Sequence, residues 1–278
     1  MNRTVRAAAV LSATALVMAG CSAGGGDDEG PVADDNGVTT LRVGASPVPH
    51  GEILEFVDSE LAEAAGLDLD IVTFDDYVLP NTALAEGDLD ANYFQHLPYF
   101  ESQVSEQGFD FDHFDGVHIE PYGVYSATLE SIDDLPDGGV IGITNDPGNQ
   151  ARALDLLEEA GVITVADTEG DPTLFDIEEN PKNLEFIETA PEQLVRSLED
   201  VDAAVINGNY ALEADLNPAE DSIYLESGEE NPYANFLAVR SEDKENEALV
   251  TLDGLLRSDE VRAFIEDRWP AGEVIPAF

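Results

Sequence analysis

Arg152 is the side chain whose type and placement most suggest chemistry. Residues 140–161 read VIGITNDPGNQARALDLLEEAG, a short apolar run, a polar turn and then a helical pattern. Val140, Ile141 and Ile143 supply a strand, Asp146 a helix cap and Pro147 the first helical position. Leu154, Leu156 and Leu157 follow at helical spacing, and Gly161 suits the stop. With Asp146 as cap, Asn149 falls in the first turn and Arg152 three residues on, leaning back toward the helix N-terminus. A cation and unpaired backbone N–H groups would converge there, as an anion requires. The competing reading is a surface arginine in a local ion pair. With 60 acidic and 11 basic residues, a placed arginine is informative.

Other chemistries lack their residues. There is no GxSxG or HExxH, no serine in a triad context, and Cys21 is the only cysteine. His113 and His118, with His50 and His96 as conceivable further ligands, match no zinc spacing, and five residues apart fit neither one helical face nor one strand face. No metal and no cofactor is expected, and calcium would rest on charge alone. The expectation is a binding protein, not an enzyme.

The elements that would position Arg152 recur as strand–helix units. Residues 41–44 form a strand, and 52–65 a helix with Ile53, Leu54, Val57 and Leu61 on one stripe and Gly66 as stop. Residues 69–74 form a strand, 75–87 turn into a short helix, and 90–94 form a third strand with 95–98 as loop. Such units predict a mostly parallel sheet with helices on both faces, whose ligands lie beyond the carboxyl ends of the strands. Tyr77 with Asn81, the run from Asn92 to His96, and the run from Asn145 to Arg152 all fall at such ends. Taken singly, Tyr93 and Phe94 read as core residues; their concentration at one kind of position argues for a site.

Residues 117–126 and 223–240 read as extended connections. Between them lies a self-contained α/β pattern: strand 184–188, helix 191–200, strand 203–206 and a short helix from Tyr210. A helical tail over 246–269 is expected to pack on the N-terminal units. Two crossings between two lobes make a clam-like binder with its site in the cleft. The expected division is 38–122 with 226–278 in one lobe and 123–225 in the other.

The N-terminus sets the compartment. Two arginines precede a small apolar run, residues 7–19, too short to span comfortably, so residues 1–20 read as a secretory signal. Met18-Ala19-Gly20-Cys21 resembles a bacterial lipobox, which implies lipid on Cys21; the competing reading is a signal cut elsewhere that leaves a free thiol. Residues 21–37, rich in Gly and Asp, form a flexible tether. The formal charge of −49 over 278 residues argues against nucleic acid and other polyanions as partners. It reads as surface adaptation to a saline habitat.

Six segments carry a resemblance: DDYVLPN from Asp75, DANYFQHLP from Asp90, EPYGVYS from Glu120, NDPGNQARAL from Asn145, AVINGNYAL from Ala204 and NPYANFLAVR from Asn231. Together they resemble the MetQ/NlpA-type family of methionine-binding lipoproteins. The resemblance implies a two-lobed periplasmic-binding-protein-like (type II) α/β fold, two mostly parallel sheets joined by two crossover strands. It also implies a lipid-anchored extracytoplasmic receptor that hands L-methionine to an ABC permease and its ATPase. Carried over by motif, Arg152 would hold the ligand carboxylate with Asn149 beside it, and Tyr77, Phe94 and His96 would form the side-chain pocket. Asn207 and Asn209 would serve the ammonium, with no distinction between them. Tyr122, Gly208 and Ala151 depart from the family's usual Met, Thr and Gly. A receptor for another apolar amino acid or a short peptide, or an enzyme or adhesin on the same fold, are the alternatives.

Overall fold

Strand Thr39–Ala45 sets the pattern of the first lobe: Thr40 and Arg42 are exposed, while Leu41, Val43 and Ala45 are fully buried. One face therefore meets the core and the other meets solvent until the strand runs under cover. It pairs in parallel with Leu67–Thr73 on one side and Ala91–His96 on the other. In between, residues 47–65 wind as consecutive helical segments, with Ile53, Leu54 and Val57 fully buried and Leu61 only partly so. Gly66, at φ +74°, ends the run in a left-handed conformation open to glycine.

The computed structural model describes residues 30–278 apart from 169, 229 and 230. The expected signal segment, Cys21 and the tether up to residue 29 lie outside the described residues. None of the helices in the described part is long and apolar enough to cross a membrane.

Two sheets make the two lobes. The first orders Ile275–Pro276, His118–Ile119, Asn235–Arg240, Ala91–His96, Thr39–Ala45 and Leu67–Thr73, with Phe111–His113 also on Asn235–Arg240. The second orders Glu185–Thr189, Val140–Thr144, Ala203–Ile206, Gly123–Tyr125 and Ser222–Leu225. The expected predominance of parallel pairing needs correction, because it holds only on one side of each sheet, out to the edge strands Leu67–Thr73 and Glu185–Thr189. The segments that cross between lobes enter antiparallel: Gly123–Tyr125 on Ala203–Ile206, and Asn235–Arg240 on Ala91–His96. A chain that leaves one lobe and returns cannot keep one direction at both crossings, so the sheets are mixed.

Two boundaries also shift. Strand Ala91–His96 runs directly into helix Leu97–Gln107, so residues 95–98 are not a loop. His96 caps that helix, its ring accepting from the Tyr99 N–H at 3.4 Å, and Pro98 suits the first turn. The tail is two helices, Glu247–Leu256 and Asp259–Arg268, because the Ser258 hydroxyl accepts from the Val261 N–H and starts a second one. Leu252, Leu256, Val261 and Ile265 are fully buried in the same core as the N-terminal strands, where the tail was expected to pack.

Candidate functional site

Three parallel strands end facing the gap between the lobes, and each delivers a polar side chain at the point where its helix begins. Ala91–His96 delivers His96, Val140–Thr144 leads through Asp146 to Asn149 and Arg152, and Ala203–Ile206 leads to Asn207 and Asn209. Asp146 caps helix Pro147–Glu159 as its sequence implies, accepting from the Asn149 N–H at 2.9 Å. All seven residues proposed from sequence, Tyr77, Phe94, His96, Asn149, Arg152, Asn207 and Asn209, line one cavity. Glu120 and Asn235, which the sequence reading passed over, join them there.

The lobes meet around this cavity. The Tyr77 hydroxyl donates to Asn209 Oδ1 at 2.5 Å, the His96 ring bonds Asn149 Oδ1 at 3.1 Å, and the Tyr210 hydroxyl donates to the Asp75 carbonyl at 3.2 Å. Tyr77, Phe94 and Tyr99 pack with Tyr210 and Ile206 in one apolar cluster that spans the gap. Gly148 lies so near the facing helix that a Cβ there would stand 3.0 Å from Tyr99 Cα.

Arg152 is only 4% exposed, so it is not the surface arginine of the competing reading. It is paired nonetheless: Nε donates to Glu226 Oε1 at 2.9 Å and Nη2 to Glu226 Oε2 at 2.5 Å, while Nη2 also reaches the Glu120 carbonyl at 2.9 Å. The Tyr233 ring covers the guanidinium at 4.1 Å. Burial opposes the charge, but the Glu226 bonds outweigh it and raise the pKa. Nη1 has none of these partners. Glu226 carried no sequence signal, being one acid among 60.

The other polar atoms divide into those already used and those waiting. Asn149 Oδ1 accepts from the His96 ring and from Asn207 Nδ2 at 2.8 Å, and its Nδ2 donates to Asp146 Oδ1 at 2.9 Å. Burial, reinforced by Arg152, pushes His96 down to about 3, so its ring is neutral and donates Nε2–H to Asn149. Asn209 Oδ1 is held by Tyr77. Asn207 Oδ1, in contrast, is buried with no partner, an acceptor that costs energy until a donor arrives.

The histidines weighed as metal ligands do not come together as a set. His113 points away, bonding the Phe114 carbonyl and packing on Phe236, whereas His118 joins His50 and Glu120 with ligand-type atoms within 4.8 Å of one another.

The NlpA lipoprotein family profile matches residues 41–278. The chain belongs to that family. Among NlpA relatives, the chain is 41% identical to the methionine-binding lipoprotein MetQ of Bacillus subtilis over 96% of its own length and 97% of the relative's. A nutrient-binding protein from Burkholderia cenocepacia, solved bound to methionine, shares 43% identity at a TM-score of 0.82, covering 86% of this chain and 100% of that one. A periplasmic substrate-binding protein of an ABC transporter from Coxiella burnetii shares 39% at 0.81, covering 85% and 100%. These NlpA-type neighbours share the two-lobed α/β fold described above, and they are substrate-binding lipoproteins, not enzymes.

Proposed function

We propose that this protein is the substrate-binding component of a methionine ABC importer and closes on one free amino acid, L-methionine. The observation that carries the reading is the buried cavity itself. Arg152 and the unpartnered Asn207 Oδ1 line one space together with Tyr77 and Phe94. An α-amino acid needs a donor for its carboxylate and an acceptor for its ammonium one carbon apart, then an apolar wall for its side chain. A thioether packs well on aromatic edges.

In this reading Asn207, not Asn209, takes the ammonium, because Asn209 is already the latch for Tyr77. Asn149 and His96 hold each other across the gap and shape the cavity. The lobes divide at 122/123 and 225/226, Cys21 carries the lipid, and the protein works on the outer face of the membrane beside a permease and its ATPase. The names of the relatives support the ligand and the transport role. Titration calorimetry against a panel of free amino acids tests it: methionine should bind tightest, with other apolar amino acids weaker by about 1–3 kcal/mol per methylene changed. A tighter fit for an unrelated amino acid, or for a dipeptide, would replace methionine in this account.

A further inference from the structure

Glu120 is a carboxylate built into the cavity wall, and nothing in the carboxylate-and-amide scheme above uses it. It is 6% exposed. Its Oε1 is 2.9 Å from His118 Nε2 and 3.2 Å from His50 Nε2, and the Asn209 backbone N–H also acts on the carboxylate. The Tyr93 hydroxyl meets His118 Nδ1, and Asn235 Oδ1 shares His50 Nε2 at 3.1 Å.

The protons on these rings follow from their partners. A carboxylate oxygen only accepts, so both imidazoles present Nε2–H to Glu120, and His118 Nδ1 accepts from Tyr93. His50 Nδ1 is then a bare lone pair, buried and without a partner. Burial depresses His50 to about 4 and His118 to about 3, so both rings are neutral near pH 7. Giving Nε2 of His50 to a metal would move its proton to Nδ1, where it would find no acceptor. The donor set thus suits a hydrogen-bonded carboxylate better than an ion.

The charges leave one demand unmet. Arg152 and Glu226 satisfy each other through the guanidinium fork, whereas Glu120 is held in place only by neutral donors. A buried carboxylate with no cation in direct contact is costly, and burial raises its pKa even though the nearby Arg152 charge opposes the shift. Gly208 keeps the space beside it open: a Cβ there would stand 2.7 Å from Glu120 Cβ and 3.1 Å from Oε2.

We propose that Glu120, oriented by His50 and His118 and given room by Gly208, is the charged receptor for the ligand's α-ammonium, so that this site requires a free α-amino group. The proposal rests on the reading of the cavity as an amino-acid site. Glu120 would touch the ligand; His50, His118 and Tyr93 are positioning residues, and Asn235 shares His50 Nε2 with the same carboxylate.

The test compares L-methionine with 4-(methylsulfanyl)butanoate, its analogue without the amino group, by calorimetry. The parent should prefer methionine at least a hundredfold. Glu120→Gln, nearly isosteric, should cut that preference at least tenfold through weaker methionine binding, with the analogue bound as before or better. His118→Leu should reduce the same ratio by a smaller factor, an effect that loss of fold stability alone would not produce. Should Glu120→Gln not fold, Gly208→Ala reads the same ratio, because the methyl displaces Glu120 while the charge remains. A parent that binds methionine while Glu120→Gln keeps the full preference overturns the proposal and leaves the methionine reading standing. A parent that binds the analogue as well as methionine overturns both. One equivalent of Zn²⁺ bound by the parent and lost in His118→Leu would assign the cluster to a metal and overturn the proposal as well.

Discussion

In the proposed reading Arg152 serves two carboxylates, one of the protein and one of the ligand, and its substitution should separate the two roles. Arg152→Ala should weaken methionine binding by about 2–5 kcal/mol, since a charge-assisted bond is lost in a closed, desolvated cleft. It should also lower the unfolding stability of the ligand-free protein, because Glu226, 11% exposed at its side chain, is left without its partner. Adding Glu226→Gln should restore part of that stability and none of the affinity. Arg152→Lys should recover little, as an ammonium cannot reproduce the fork on Glu226. Arg196, exposed on its short helix, is the control, and Arg196→Ala should bind methionine like the parent in the same calorimeter. At this scale the sequence was legible where a residue type was scarce or sat in a motif. Arg152 was found because cations are few, but Glu226 and Glu120 were hidden by an excess of acids, and Asn235 stood inside a quoted motif with no pattern to separate it from Asn231.

Helix Pro147–Glu159 and helix Leu97–Gln107 meet across the cleft with almost no clearance, and Gly148 is the point of contact. A Cβ at this position would lie 3.0 Å from Tyr99 Cα and 3.1 Å from its nitrogen, both backbone atoms with no freedom to turn away. Gly148→Val should therefore hold the lobes apart. Affinity for methionine should fall at least tenfold, about 1.4 kcal/mol, while the melting temperature without ligand stays within a degree or two of the parent. A variant that binds as tightly as the parent would show that closure does not need this approach. Element existence was readable from periodicity, as the parallel strands and the helix over 52–65 show. Element ends were less so. His96 caps with an imidazole, a residue outside the usual capping set, and Ser258 starts a new helix inside an unbroken helical pattern. The predicted helix over 191–200 is a turn of 3₁₀, Pro191–Gln193, followed by the single turn Leu194–Ser197, because a segment so short gains little beyond its packing.

Over the whole molecule, a formal charge of −49 faces few cations, and the structure uses them as staples. Lys182 donates to the carbonyls of Asp133 and Leu135 at 2.7 and 2.8 Å, Arg268 pairs with Glu52 at 2.8 Å, and Arg257 bridges Asp253 and Asp115. The remaining carboxylates repel, so thermal stability should climb with salt: between roughly 0.1 and 2 M the Debye length falls from about 10 Å to below 3 Å. NaCl and KCl should act alike in a melting series, and a flat series would remove charge repulsion as a limit on stability. The proposed lipid on Cys21 makes a separate prediction. Two acyl chains on a diacylglyceryl cysteine give stable anchoring, so Cys21→Ala should move the protein from the membrane fraction to the soluble one. The two-lobed fold was legible because two long extended segments flank a complete α/β pattern. The mixed direction of the sheets was not, since pairing between strands far apart in the chain leaves no local trace. What joins all three scales is one ligand pose, and a crystal structure of the protein grown with L-methionine reads it directly. The account predicts the carboxylate on Arg152 Nη1, the ammonium between Asn207 Oδ1 and Glu120, and the thioether against Tyr77 and Phe94; a ligand with its carboxylate turned away from Arg152, or bound outside this cavity, would contradict it.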